Sequence, residues 1–582
     1  MQKTYISENI GSVPLFFGLL NHIGLGAEIN VHYPSHGNWN GGDKGLIVSV
    51  WLCYILTLTD HRLSAVESWF NAHQLSLNTL VLSYGYSALD PKDFTDDRLG
   101  SLLSAFGDES LWCLFMTCFS RNLLKLYGLS VTHVELDATI AQQYRSVIDE
   151  GLFQIGHAKQ HRAGLPQIKM MLSNAAAHNI PLLINTVSGN RADDGLYVPL
   201  IHQTRSLIGT TGILWQGDSK LGSIDNRHDI AKHDDFYLTP ASLVQLNTET
   251  LRDYVTTHKK EEGEWTAIYL NKEIKGTIEK VLIGTGFEVA VTIDYKGLKW
   301  VERRLVVRSN SYSTAQITTF NKQLNQANTQ LKELIKRKTG KPVPKSAEEL
   351  LKKAKKITDK WHVTPFFTLK VLTETTIKEI NAYKDTPKRT VEIQKFTLIF
   401  EQDQALIEQN IDYLGYRVYL TNQKQELLPL QKAVEAYRGE YKIERRIRNL
   451  KQEVAALLPL YLQKEDRIVG LVNLLTLLLQ IVSIVEYRIA QSLKEEEQKE
   501  NQKLGGLYPG QPTLKTANPT ISKIISAMSL IMLITITKGD KIIKKVITNQ
   551  NDTTKRIMEL IKLPIDPYEI LLKKRMPLAS SS

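Results

Sequence analysis

Residues 467–493 read RIVGLVNLLTLLLQIVSIVEYRIAQSL, with charge only at Arg467, Glu486 and Arg488. A helix that is apolar on every side must be covered on every side, by lipid or by the rest of the protein. The charges within the run, and the polar tail EEEQKENQK behind it, favour a helix buried in a large core. A 582-residue chain that is 42% apolar can supply that core. At roughly 150 residues per domain, its length corresponds to about three or four domains. Two other apolar runs, LIVSVWLCYILTLT (46–59) and IISAMSLIMLITIT (524–537), have 14 residues each. That is short of the roughly 20 needed to span a bilayer, so both are expected as core helices or strands, with no membrane segment. The start, MQKTYISENIG, has no apolar run behind a basic opening, so no signal segment is expected.

The formal net charge of +11 fits a polyanionic partner, nucleic acid or a membrane surface, as readily as a surface with surplus lysine. Cys53, Cys113 and Cys118 form no C-x2-C pair and no disulfide framework. They read as buried, reduced thiols of a cytoplasmic protein.

Residues 1–125 have helical spacing, beginning with PLFFGLLNHIGL and its helix-entry proline. From 126 to 242 the pattern turns to strands: VTHVELDATI, then LPQIKMMLSN and IPLLINTVSG around a hairpin connection at AAAHN. A helix over 192–209, a strand in TGILWQGD and another in FYLTPAS follow. A hairpin joined to later parallel strands makes a mixed sheet with helices packed on it. Residues 243–425 interrupt that scheme. They hold a hairpin with a YKG turn (287–309), a charged helical pair over 312–360 expected as an exposed arm or short coiled coil, and strands at 391–403 and 413–423. Residues 426–500 are helical, and 501–582 read as a loop followed by a helical or mixed segment.

The stretch YRGEYKIERRIRNLK (437–451) sets one glutamate, Glu444, among many cations. On one continuous helix, residues seven apart drift by only about 20°. Tyr437, Glu444 and Lys451 then share a stripe, with Arg448 one turn beyond Glu444 and an apolar stripe of Ile443, Ile447 and Leu450 beside it. A carboxylate flanked by cations suits a metal-assisted phosphodiester site, the acid holding the metal and the cations the phosphates. Two more acids stand out by position: Asp137 in LDAT, near the C-terminal half of a strand, and Asp218, which ends the strand GILWQGD. Two divalent cations need several such hard oxygen ligands. Glu135 is a rival for Asp137, because residues two apart on a strand point to one face. Asp225, Asp229, Asp234 and Asp235 lie in a polar segment and are set aside for Asp218.

These motifs in order, LDAT, GHAKQHRAGLPQIKMML (156–172), SGNRADD (188–194), WQGDSKLGS (215–223) and YRGEYKIERRIRNLK, resemble those of DDE transposases of bacterial insertion sequences. The relevant subgroup carries Y-x2-R-x3-E-x6-K, which Tyr437, Glu444 and Lys451 fit. Glu440 stands where that pattern has arginine. The resemblance covers roughly 130–240 and 410–500. It implies an α/β fold with an RNase H-like mixed sheet flanked by helices, a β-rich insertion and a helical N-terminal domain that binds DNA ends. It implies Asp137, Asp218 and Glu444 as catalytic ligands of Mg²⁺, with Mn²⁺ as a substitute. Tyr437, Arg448 and Lys451, with Lys159, His161 and Arg162 of the basic GHAKQHRAGL stretch, are the expected DNA contacts. The implied partner is double-stranded DNA, both element ends and target, bound by a homodimer in the bacterial cytoplasm. A repurposed DNA-binding relative without catalysis and a nuclease without strand transfer are the alternatives.

Overall fold

The computed structural model describes residues 3–157, 164–274, 277–336, 344–380, 387–538 and 541–573. The chain is mixed α/β. It opens with strand β1 (Lys3–Asn9) and seven helices: α1 (Val13–His22), α2 (Leu25–His32), α3 (Lys44–Leu58), α4 (Val66–Ala72), α5 (Gln74–Ser83), α6 (Asp96–Phe106) and α7 (Glu109–Leu126). Asp43 and Asp108 cap α3 and α7 by accepting from the amides of Leu46 and Leu111. Next come β2 (His133–Gln142), β3 (Gln167–Ala175), β4 (Ile180–Ser188), α8 (Tyr197–Ile208), β5 (Leu214–Gln216), α9 (Ile224–Lys232) and β6 (Phe236–Pro240). The middle holds α10 (Thr248–Lys260), β7 (Thr266–Ile274), β8 (Thr277–Tyr295), β9 (Leu298–Ser309), α11 (Asn310–Ile335), α12 (Ala347–Lys360), β10 (Phe367–Ile380), β11 (Arg389–Gln402), α13 (Gln404–Asp412) and β12 (Tyr416–Thr421). The last part holds α14 (Leu430–Arg438), α15 (Tyr441–Arg448), a π-helical turn (Asn449–Glu453), α16 (Glu465–Glu495), α17 (Ile521–Met528), β13 (Met532–Lys538), β14 (Lys541–Thr548), α18 (Asp552–Ile561) and α19 (Pro567–Leu572).

Two compact units divide these elements: 1–239 with 294–298 and 436–582, and 240–293 with 299–435. In the first unit the strand order is β4-β3-β2-β5-β6. The β2–β3 and β3–β4 pairs are antiparallel, and β2–β5 and β5–β6 are parallel. Every residue of β3 is buried, as expected of a strand covered on both faces. A mixed sheet of this order, flanked by helices, is compatible with an RNase H-like fold.

Helix α16 is long and apolar enough to cross a membrane, yet 94% of its most apolar window is buried inside the protein. Two sharply bent pairs, Lys44–Leu58 with Leu63–Ala72 and Asp96–Phe106 with Glu109–Leu126, meet the same composition test only if each counts as one span. The cover on α16 comes from α6, β4 and α18. Its buried polar side chains find partners there. Asn473 Nδ2 donates to the Phe106 carbonyl (2.9 Å), and Gln480 Nε2 to Ser120 Oγ (2.9 Å) and the Pro181 carbonyl (3.0 Å). At Gly470 the helix meets α6 so closely that an added Cβ would lie 1.9 Å from the Leu103 carbonyl oxygen.

Three expectations need correction. The N-terminal region is not wholly helical: β1 pairs antiparallel with β13, Lys3 facing Lys538, in a separate sheet of order β1-β13-β14. The apolar run 524–537 is neither one helix nor one strand; it splits into the end of α17 and most of β13. Within the second unit, the charged helical pair is no free coiled coil. Phe320, Leu324, Ala327 and Leu331 of α11 and Leu350 and Ala354 of α12 share a core with Phe367 and Leu398 of the β10–β11 hairpin. That unit also contains the run β12-β9-β8-β7. The YKG turn joins β8 to β9, with Lys296 (φ 48°) and Gly297 (φ 80°) both left-handed, the geometry that matches strand twist.

Candidate active site

Strand β2 carries Glu135 and Asp137 on one face, and β5 runs parallel beside it with Glu135 opposite Gln216. Asp137 follows Glu135 on β2, and Asp218 lies two residues beyond the end of β5, both half-buried. Tyr197, at the start of α8, reaches this point. Its hydroxyl donates to Asp218 Oδ1 at 2.7 Å. Burial, then the charges of Asp218, Asp137 and Asp193, hold that hydroxyl well above its ordinary pKa. One buried phenol thus sits in the field of both sequence-selected aspartates. The same Oδ1 accepts from the Lys220 amide (2.8 Å), and Thr239 Oγ1 donates to the Asp218 carbonyl (2.7 Å). These contacts fix the carboxylate as β5 ends.

Asp193 explains one of the sequence motifs. Its carboxylate pairs with the buried ammonium of Lys169 on β3 at 2.5 Å, which also donates to the Arg191 carbonyl. The SGNRADD loop is thereby pinned to the sheet beside Tyr197. Asp235 has a structural role: it is buried and accepts from Arg205 Nε, Trp215 Nε1 and the Ile213 amide.

Glu135 is buried and accepts from Asn174 Nδ2 at 3.0 Å. Burial pushes its carboxyl up to about 7; Asn174 and Lys442 oppose the shift, and Glu440 and Asp137 add to it. His133, below it on β2, is lowered to about 4, first by burial, with Lys442 adding to the effect against a hydrogen bond accepted by Gln216 Oε1. Lys442 and Glu440, at the start of α15, therefore lie beside β2.

Residues 437–451 do not form one continuous helix. Tyr437 ends in α14, Glu444 lies in α15, and Lys451 lies in the π-helical turn. Short-range bonds at Gly439, Glu440 and Lys442, to the carbonyls of Ala436, Tyr437 and Gly439, break the α-helical ladder between α14 and α15. The shared stripe of Tyr437, Glu444 and Lys451 is lost, because the seven-residue spacing presumes unbroken helix. The apolar stripe survives: Ile443, Ile447 and Leu450 are buried.

Arginines anchor α15. Arg446 is only 1% exposed, donates to the Asn179 carbonyl (2.9 Å) and pairs with Glu486 of α16 at 2.9 Å. Arg445 meets the same Glu486 oxygen at 2.9 Å, and the other oxygen accepts from the Ile521 amide. Arg448 pairs with Glu453 at 3.0 Å, both about half exposed. The cations of ERRIR thus serve the protein itself at three positions.

Asp137 and Asp218 both act on the Tyr197 hydroxyl. Glu444 is exposed, and its carboxylate does not gather with theirs within 4.8 Å as a set. Lys159, His161 and Arg162 lie outside the described residues. Tyr197 and Lys169 emerge only from the structure; Glu135 and Glu440 had sequence signals, the first its spacing from Asp137 and the second its place at the pattern's arginine position. The donors at the strand ends are all carboxylate oxygens, the set that suits Mg²⁺.

No family model matches the chain, and no curated protein matches it. Among solved structures, it is similar to the cryo-EM structure of the piggyBac transposase synaptic complex with hairpin DNA, at 14% identity and a TM-score of 0.21. That match covers 42% of this chain and 54% of the other, about half of its length. At that level of likeness the site residues themselves carry the argument about function.

Proposed function

We propose that the chain is a metal-dependent DNA transposase of the DDE type. It would bind the inverted-repeat ends of its element as a homodimer, cut one strand and join the freed 3′-hydroxyl to target DNA. The observation that supports this reading is that Tyr197, hydrogen-bonded to Asp218, lies in the field of both Asp218 and Asp137, with β2 and β5 adjacent and parallel. Asp137 and Asp218 would hold Mg²⁺, or Mn²⁺, and a third carboxylate comes from the segment 440–444. Glu444 fits the family spacing there, and Glu440 lies in the field of Glu135. Bound cations of this kind activate the attacking oxygen and stabilise the leaving one. Tyr197 orients Asp218, and the Arg445–Arg446–Glu486 contact holds α15 beside the sheet. Tyr437, Arg448, Lys451, Lys159 and Arg162 are the proposed DNA contacts, with the net charge of +11 favouring approach to DNA.

The test is a Mg²⁺-dependent nicking assay on element-end DNA. Asp137→Ala, Asp218→Ala and Glu444→Ala should each abolish nicking while leaving end binding largely intact. Full-rate nicking by the aspartate variants defeats the assignment. A second reading, a DNA-binding relative without catalysis, is favoured by Glu440 at the arginine position and by the exposure of Glu444. It predicts tight end binding with no nicking by the unaltered protein. A strand-transfer assay with a precut end separates a transposase from a nuclease.

A further inference from the structure

Among the described residues, two groups of three ligating side chains have their donor atoms within 4.8 Å of one another: Glu28–His32–Cys118 and His202–Asp229–His233. The second is the more open, with His202 46% exposed. The first lies where α2 packs on α7, away from β2 and β5 in the chain.

We propose that Glu28, His32 and Cys118 form a binding site for a zinc-class divalent cation. Glu28 and His32 are four apart on α2, so they share a face one turn from each other. His32 Nε2 and Glu28 Oε1 are 2.9 Å apart, with side chains 11% and 21% exposed. The second carboxylate oxygen of Glu28 accepts from Asn122 Nδ2 at 3.5 Å, one turn along α7 from Cys118. The His32 ring is held edge-on by Phe115 of α7, centroids 6.0 Å apart at 73°. Two ligands are therefore oriented by groups on the helix that supplies the third, the supporting arrangement metal sites use.

The donor chemistry selects the ion. Thiolate, imidazole and carboxylate suit Zn²⁺ and its neighbours and disfavour Mg²⁺. Three protein ligands leave a fourth tetrahedral position open to water. Bond lengths of roughly 2.0–2.3 Å place tetrahedral donors about 3.3–3.8 Å apart, so the His32–Glu28 pair at 2.9 Å opens slightly while the thiol, within 4.8 Å of both, closes in. Binding displaces the proton of the Cys118 thiol to solvent as the sulfur–metal bond forms. The alternative is an i,i+4 contact between Glu28 and His32 beside an unrelated thiol. Such a pair has no metal preference and no sulfur signature.

The test uses the full chain, stripped with chelator and held in excess Mg²⁺, with Co²⁺ and Zn²⁺ as probes and no DNA. One equivalent of Co²⁺ should give a near-ultraviolet thiolate-to-metal band that Cys118→Ser removes and Cys113→Ser keeps. One equivalent of Zn²⁺ should slow alkylation at Cys118, mapped by mass spectrometry, by about tenfold or more. His32→Gln should abolish that protection, which covers the case of a Cys118 variant that folds poorly. Absence of the band in the unaltered protein, its persistence in Cys118→Ser, or equal alkylation with and without Zn²⁺ overturns the proposal. None of these readouts depends on cleavage, so the result stands apart from the transposase reading.

Discussion

The ends of β2 and β5 and the α2–α7 contact both gather acidic side chains, but with different atoms around them. At the strand ends the donors are oxygens: Asp137, Asp218 and the phenol of Tyr197. At the helix contact they are oxygen, nitrogen and sulfur, from Glu28, His32 and Cys118. Hard oxygen sites suit ions that exchange ligands during phosphoryl chemistry, and mixed sites with sulfur suit ions that stay. The backbone differs too. One carboxylate lies within a paired strand and the other just past the end of its parallel neighbour, whereas two helices in contact fix ligands only through side-chain packing.

The largest test of that contrast compares Asp218→Asn with Cys118→Ser in single-turnover nicking. The first should lose about a thousandfold or more, and the second should stay within about twofold. Equal losses would mean that the two regions are not functionally separate. Next comes the question of which glutamate joins the aspartates. Glu444→Gln should cost about a hundredfold in nicking, and Glu440→Gln less than about tenfold. The reverse order would move the third ligand to the residue beside Glu135. The smallest effect belongs to Tyr197→Phe, which removes one hydrogen bond to Asp218 and should raise the Mg²⁺ concentration needed for nicking by about tenfold. End binding, measured by mobility shift, should not change.

Much of the strand order was legible because its signals are local. The β-branched run at 131–140, the hairpin around AAAHN and the YKG turn each declare themselves within a dozen residues. Asp137 was legible from the LDAT motif within a strand, and Asp218 because it follows a strand's end. What stayed hidden depends on partners far away. Strand β1 is defined by β13 and Arg446 by Glu486, and Cys118 meets His32 only once α2 and α7 pack. The break after Arg438 escaped because Glu440 carries no helix-breaking signature, and the one nearby glycine is tolerated within helices. Tyr197 escaped because a tyrosine at a helix start has no spacing that announces a carboxylate above it.

The pairing of β1 with β13 has a consequence for biosynthesis. Lys3 is synthesised long before its partner Lys538. At about 5–20 residues per second, the nascent first strand waits roughly half a minute to two minutes with its edge unsatisfied. Tyr5 and Ile6 remain open to solvent even after pairing. During that wait they form an apolar edge that a chaperone would have reason to shield.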